Sequence, residues 1–598
     1  MASFDLAQVR SRFPALAQTV ELPDGKKRAP VFLNNGASCL MLKSVGSMLA
    51  SMPEYYGVLG RGGGPQQARA AFLMEQFNRR MLNFVGADPS YFTVGMAENA
   101  THALNLMVHG MNLKRGDIVI GTIFSHNSLD NPFRLSPAKI VTIGLSHGGT
   151  RLDVEKLMEA IDRAGPRLKA VGIAHASNLS GAILPLKLIA AATHRANPQA
   201  LLLADAAQTF AHIPIEMGDT SQIDIVDILV GCGHKAYCGP SGSGFYIAPT
   251  DFLSHATPLV VGGGTVAFVS KDTGVDFIET PARMSAGTRN LTGAASLMVA
   301  MEFLEANGLR DGSLHAHEVS LKRRFFELAE QDPGEVREKL YEAGQPGCFK
   351  DSLGNILLLG MNEEDERHLA NWGTESRSGA SCAPLLALDL LKVKRAEIPF
   401  YRDMGVFRHG ACGQVMRLLR LTPAAYTSPE EIEFAFDLLR HGNERRTYSQ
   451  AHFEESLTSM FLRLGIKPPT LEDLAETFVK ESFEVKAAIK APDEQAAFRA
   501  CVKKELEALA ASLALGIDSE DADAILKRFG EQPRHFSRAI YVVQKLIQEG
   551  YPPVRQFSGL EEFTACFKEL SGVMPYEETP MPYHLAYAQK LLAILGLS

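Results

Sequence analysis

Four short apolar runs, ending near residues 122, 174, 205 and 230, are separated by stretches of helical periodicity, and this alternation constrains the fold more than any other feature of the chain. Runs of that kind suit strands buried on both faces of a mostly parallel sheet, with covering helices and a site along the strands' carboxyl ends. Two of them end in reactive side chains. Leu201 to Gln208 reads Leu-Leu-Leu-Ala-Asp-Ala-Ala-Gln and delivers one carboxylate, Asp205, at a strand end. Ile225 to Val230 leads into a loop from Gly231 to Gly244 in which Lys235 is surrounded by backbone-permissive residues, a setting that exposes an amine to chemistry.

A buried acid and a loop lysine are the two side chains a pyridoxal phosphate enzyme needs. The amine bonds the cofactor aldehyde, and the carboxylate keeps the pyridine nitrogen protonated so that the ring accepts electrons. Taken singly, the lysine reads as solvated and the aspartate as a helix cap, but the pair at this spacing favours the catalytic account. The residues resemble the class V aminotransferases of fold type I, cysteine desulfurases and selenocysteine lyases among them, in which an Asp-x-x-Gln strand end precedes a Gly-His-Lys loop. The matching residues are Asp205, Gln208, Gly233, His234 and Lys235.

The resemblance extends over about residues 4 to 442 and implies roles for further segments. Phe32 to Ser38 holds a small-residue turn that places Ala37 at the substrate, with Asn34 where the family commonly has aspartate. Arg61, in Gly60-Arg61-Gly62, corresponds to a loop that reaches the neighbouring subunit's site; a helix from Gln66 to Val85 follows, with Ala70, Phe72, Phe77, Met81 and Phe84 on its apolar spacing. Ala100-Thr101-His102-Ala103-Leu104-Asn105 opens a helix whose free N–H groups suit a phosphate, and it resembles the family's phosphate loop with His102 at the glutamate position. His126 stands where relatives stack a histidine on the cofactor ring. Asn178 would bond the cofactor phenolate or the substrate. Thr288, in Gly287-Thr288-Arg289-Asn290, resembles a segment lent to the partner's phosphate, implying a two-fold homodimer with shared sites.

Arg377-Ser378-Gly379-Ala380-Ser381-Cys382-Ala383 resembles the desulfurase pattern Arg-x-Gly-x-x-Cys-Ala, whose cysteine attacks substrate sulfur. This makes Cys382 the expected nucleophile beside the catalytic residues Lys235 and His126, although Ala380 and Ser381 replace a common pair of histidines. Arg420 matches the arginine that grips the substrate carboxylate, where a planar fork pairs with two oxygens, and Arg377 lies with the substrate residues. Cys232 stands where relatives often carry a phosphate-contacting serine, and residues Leu390 to Gln414 are longer than in typical relatives.

The expected fold is therefore α/β, a fold type I pyridoxal phosphate transferase. A large cofactor domain spans residues 31–304, and residues 1–30 with 305–445 form a smaller α+β domain. Helical spacing of Phe453, Leu457, Met460 and Phe461, and of later apolar residues, suggests an all-helical domain over 446–598, in which no family is recognised. It reads as a packing appendage or a dock for a sulfur acceptor.

A formal net charge of -8 gives no reason to expect nucleic acid or an anionic membrane as partner. No apolar run approaches the ~20 residues of a membrane span. The eight cysteines are scattered, without metal spacing or a disulfide framework, which together with Asp5 in the first residues suggests a cytoplasmic protein, an organellar one being the alternative. The expected activity is a cysteine desulfurase making a persulfide on Cys382 and releasing L-alanine. Its competitors are a related lyase or epimerase acting on selenocysteine, cysteine sulfinate or another amino acid, and a non-catalytic scaffold.

Overall fold

The computed structural model describes residues 4–440, apart from 58, 60–62, 147–150, 238, 240–241, 273, 333, 342–350, 396–397 and 399–415, together with Val543. Arg61, Cys238, most of the 390–414 insertion and the expected helical domain thus lie outside the described residues. Those from 4 to 391 and from 416 to 440 belong to one compact unit.

A seven-stranded sheet organises this unit. Its strands are β1 (Phe92–Ala97), β2 (Ile118–Thr122), β3 (Lys139–Ile143), β4 (Leu168–Ala174), β5 (Leu201–Asp205), β6 (Ile228–Cys232) and β7 (Gly244–Pro249), in the spatial order β1-β7-β6-β5-β4-β2-β3. From β6 to β3 every pairing is parallel, whereas β7 runs antiparallel to both β6 and β1. Helices α2 (Ala100–Gly110), α3 (Asn127–Leu135), α4 (Val154–Ala164) and α5 (Leu186–Ala196) connect the strands. Leu104, Met107, Val119, Leu203, Ile228 and Val230 are among the buried side chains packed between helix and sheet, each contributing roughly 1.5–3 kcal/mol on removal from water. Gly244 lets α2 come close, since a Cβ there would lie 2.5 Å from the backbone of Asn99.

Two expectations shift. The strand expected from Ile225 begins at Ile228, because the Asp227 carboxylate, instead of a ladder partner, accepts from the Leu202 N–H at 2.7 Å and lies 2.9 Å from His194 Nε2. In α1 (Pro65–Phe84) the side chains of Ala70, Phe77, Met81 and Phe84 are buried but Phe72 is 62% exposed. At about 100° per residue it falls off the stripe formed by the others.

After α6 (Leu291–Ala306) the chain builds a second, antiparallel sheet, ordered β8 (Leu340–Tyr341), β9 (Ile356–Leu359), β11 (Leu418–Leu421), β10 (Arg377–Ser378). Val31, Leu33, Leu321, Phe325, Ile356, Leu358, Leu419 and Phe436 share its core, supplied partly by α7 (Ser313–Gln331) and α8 (Pro429–Arg440). Asn34 bridges to Thr422 next to β11, so the turn after Val31–Phe32 is held against the second sheet. Among the described residues no helix is long and apolar enough to cross a membrane.

Candidate active site

The carboxyl ends of β2, β4, β5 and β6 carry His126, Asn178, Asp205 and Lys235, each within a few residues of its strand. Asp205 is the last residue of β5 and only 6% exposed; its Oδ1 accepts from the Ala207 N–H at 3.0 Å. Burial raises its carboxyl above the ordinary range, while that N–H and the nearby charge of Lys235 pull it back. Lys235 closes the single 3-10 turn Gly233–Lys235 after β6, where its backbone carbonyl accepts from the Cys39 thiol at 3.1 Å. Gln208 donates from Nε2 to the Gly36 carbonyl at 2.9 Å, tying the end of β5 to the turn that holds Ala37. Cys232 is buried, which pushes its thiol up to about 11, and its Sγ lies 3.8 Å from His234 Nε2. Burial and Lys235 lower His234 to about 4.

His126 is the N-cap of α3, and its Nδ1 accepts from the Ser128 N–H at 3.1 Å. Burial first, then the charges of Lys235 and Arg420, lower its imidazole to about 4, so the ring is neutral at physiological pH. Thr101 is exposed in the first turn of α2, and Ala100 is buried beside it. The Asn99 side chain caps that helix by accepting from the His102 N–H.

On the second sheet Arg420 is 2% exposed and donates from Nη1 to the Asn178 carbonyl at 2.7 Å and from Nη2 to Asn34 Oδ1 at 3.3 Å. Gly36 is needed there because a Cβ would come within 2.9 Å of the guanidinium carbon. Burial, reinforced by Arg377, lowers the Arg420 guanidinium to about 10, while Cys382 and Glu366 oppose the shift. Cys382 is exposed, whereas Cys39 and Cys232 are buried. Ser381 and Cys382 both have positive φ, 46° and 59°, a conformation that costs non-glycine residues about 1–2 kcal/mol each. Two bonds offset it: Asn178 Nδ2 donates to the Ser381 carbonyl at 2.5 Å, and the Asn127 N–H donates to the Cys382 carbonyl at 2.9 Å. Arg377 is exposed at the start of β10.

Thr288 is exposed just before α6 and takes part in none of these bonds. Sequence reasoning missed Ser128, Asn127, Glu366 and Asn355, whose Nδ2 donates to the Asn178 carbonyl at 3.2 Å. The i to i+2 spacing of His126 and Ser128 is a capping signal, but nothing in the sequence ties Glu366 to Ser378, whose N–H and hydroxyl it accepts.

Asn178 Oδ1, Ser381 Oγ, Arg420 Nε and Thr422 Oγ1 are buried without a hydrogen-bond partner. Unsatisfied polar atoms are costly, and three of these four belong to the bonded group that joins Asn178, the Cys382 loop and Arg420. The group therefore fits a polar ligand. Asp205, acceptor-only when ionised, fits a ring N–H.

An α/β unit with this mostly parallel sheet and strand-end site has the fold type I architecture of pyridoxal phosphate enzymes, and the solved cysteine desulfurases of Thermococcus onnurineus NA1 (apo form) and Escherichia coli (CsdA) share it. They superpose with TM-scores of 0.59 and 0.57 at 23% and 22% identity, covering 73% and 74% of this chain and 98% and 99% of theirs. The model of the aminotransferase class-V family matches residues 31–410, and the chain belongs to that family. It is also 28% identical over 440 residues to a cysteine desulfurase of Pectobacterium atrosepticum, covering 72% of this chain and 96% of that one. A probable cysteine desulfurase of Methanothermobacter thermautotrophicus is 28% identical over 354 residues, 57% of this chain and 82% of its own.

Proposed function

We propose that the protein is a pyridoxal phosphate-dependent cysteine desulfurase, which takes sulfur from L-cysteine onto Cys382 and releases L-alanine. The observation that carries this reading is the convergence of Lys235, buried Asp205 and neutral His126 with a buried guanidinium, Arg420, and an exposed thiol, Cys382. Lys235 and Asp205 would hold the cofactor, with Thr101 and the free N–H groups of α2 at its phosphate, His126 over its ring, and Asn178, Gln208 and His234 around it. When bound, the cofactor supplies an electron sink that weakens bonds at the substrate's α and β carbons.

Arg420, with Arg377 nearby, orients the substrate carboxylate by charge-assisted bonds. The Lys235 amine carries protons to and from the α-carbon. The Cys382 thiolate attacks the substrate sulfur: a sulfur–sulfur bond forms, the carbon–sulfur bond breaks, and its electron pair stays with the carbon, which gains a proton to become the methyl of alanine. Ala380 and Ser381, beside the thiol, offer no base. The curated relatives named cysteine desulfurases support this substrate.

The reading includes a homodimer in which Thr288 serves the partner's site. An exposed apolar surface near it, including Val261, Phe268, Val269 and Val275, supports that arrangement. A protein sulfur acceptor, a cytoplasmic setting, and the division into domains at 31–304, 1–30 with 305–445, and 446–598 complete the proposal.

The test measures sulfide and alanine from L-cysteine alongside the visible spectrum of the purified protein. A cofactor absorbance band that responds to L-cysteine, with equal amounts of sulfur and alanine formed and turnover abolished by Cys382→Ala, is the expected result. Undiminished turnover in the variant would point to a lyase or epimerase, and a colourless protein that ignores added pyridoxal phosphate would point to a scaffold.

A further inference from the structure

His126, Ser128 and Thr101 form a continuous chain of polar contacts that links the first turns of α3 and α2. His126 Nδ1 lies 3.1 Å from the Ser128 backbone nitrogen and 2.9 Å from Ser128 Oγ, and Ser128 Oγ lies 2.6 Å from Thr101 Oγ1. The backbone N–H can only donate, so Nδ1 must present its lone pair and cannot carry the ring proton. The proton of the neutral imidazole then sits on Nε2. A hydroxyl at 2.9 Å from the same lone pair is a second donor to it. Thr101, whose hydroxyl touches Ser128 Oγ on the other side, fixes where that hydroxyl can turn.

We propose that the Ser128 hydroxyl is a positioning group for His126, adding a second contact at Nδ1 that holds the ring orientation and ties it to Thr101 at the open end of α2. This deepens the reading of His126 as a site residue and rests on it, because a histidine held this way offers the site a fixed N–H donor. The consequence for binding is directional. A group that accepts the Thr101 proton forces the Ser128 hydroxyl to donate to Thr101, leaving the backbone N–H as the one donor to Nδ1. Occupancy at α2 is thereby reported to the His126 ring, through two hydroxyl groups and no charge movement.

The experiment uses the full-length protein labelled with 15N-histidine, both free and loaded with pyridoxal phosphate, the His126 signals being assigned by their loss in His126→Gln. Wild type is expected to show one tautomer, with Nδ1 unprotonated. Ser128→Ala keeps the backbone N–H, and with it the tautomer, but removes the second donor, so in the cofactor-free protein the Nδ1 signal should move toward that of a less hydrogen-bonded nitrogen while turnover of L-cysteine by the loaded protein falls about fivefold at nearly constant KM, the scale of one lost hydrogen bond. Ser128→Thr keeps the hydroxyl and should restore both readouts. The proposal is overturned if Ser128→Ala keeps the wild-type Nδ1 shift in the cofactor-free protein, or if Ser128→Thr behaves like Ser128→Ala although both melt at the wild-type temperature. Failure of the cofactor reading is separate: wild type would show no cofactor band. Failure of the substrate reading leaves a band without sulfur release, and the Nδ1 shift comparison still decides the role of Ser128.

Discussion

Arg377 and Arg420 stand directly opposite each other on the antiparallel strands β10 and β11. Like charges so placed repel, and the cost is visible in the Arg420 guanidinium, which burial and then Arg377 lower to about 10. A doubly cationic strand pair is tolerated where an anion is to be bound. Arg377→Ala should therefore leave the melting temperature unchanged or slightly higher and raise the Arg420 pKa, yet weaken substrate binding severalfold. Arg420→Lys loses the planar fork and should raise KM for L-cysteine by about 10- to 100-fold, the loss of one to two charge-assisted bonds. Steady-state kinetics with parallel thermal melts check both.

Asp205 pairs an unfavourable burial with a task that needs its charge. With its carboxyl raised by desolvation, Asp205→Asn removes a buried acid and keeps the shape. The expected result is a cofactor-free protein at least as stable as wild type, because replacing a buried charge is often neutral or better, with turnover reduced at least 100-fold when the cofactor is added. Loss of stability with unchanged turnover would make Asp205 a structural residue. Thermal melts without cofactor and initial rates with it separate the two.

The strand ends were legible from sequence because parallel strands buried on both faces read as uninterrupted apolar runs, one ending in Asp205 and another leading into the turn that Lys235 closes. The loop that carries Cys382 was legible as a motif but not as a geometry. Its two positive φ residues, Ser381 and Cys382, are not glycine, and what holds them, Asn178 and Asn127, is some 200 residues or more away in the chain. Phe72 misled because its apolar character was counted without its angle around the helix. Ile225 misled because Asp227 takes a ladder position with its side chain. Long-range polar bonds of this kind leave no periodic trace.

Asn178 holds the Cys382 loop with its side chain and Arg420 with its carbonyl. Asn178→Ala spares the second bond and removes the first. Because the loop then loses a bond that offsets its backbone strain, its thiol should be alkylated severalfold faster by iodoacetamide, with a stability loss of about 1–3 kcal/mol. Peptide mapping of the modified protein reads Cys382 by itself, and Cys39 and Cys232, both buried, serve as slow internal references. An unchanged alkylation rate would mean that the Asn127 contact suffices to hold the loop.

A buried histidine and a half-buried one should give the folded state opposite responses to pH. His175 contacts Thr209 Oγ1 at 2.9 Å, and burial lowers its imidazole to about 4; unfolded, it titrates near 6.5. Between these values the unfolded chain binds the extra proton, so its contribution is present above about pH 6.5 and is lost as pH falls toward about 4. His194 is desolvated too, yet the hydrogen bond and charge of Asp227 outweigh this and raise its pKa. Its stabilisation is complete below the unfolded value and fades as pH rises through the folded one. Urea unfolding across pH 4–8 should show His175→Gln flattening the loss on the acid side of pH 6.5. His194→Gln should remove stability below pH 6.5 and less of it above the raised folded value, so the two variants bend the same curve at opposite ends. Equal effects of both variants at every pH would show that packing, not proton binding, governs these positions.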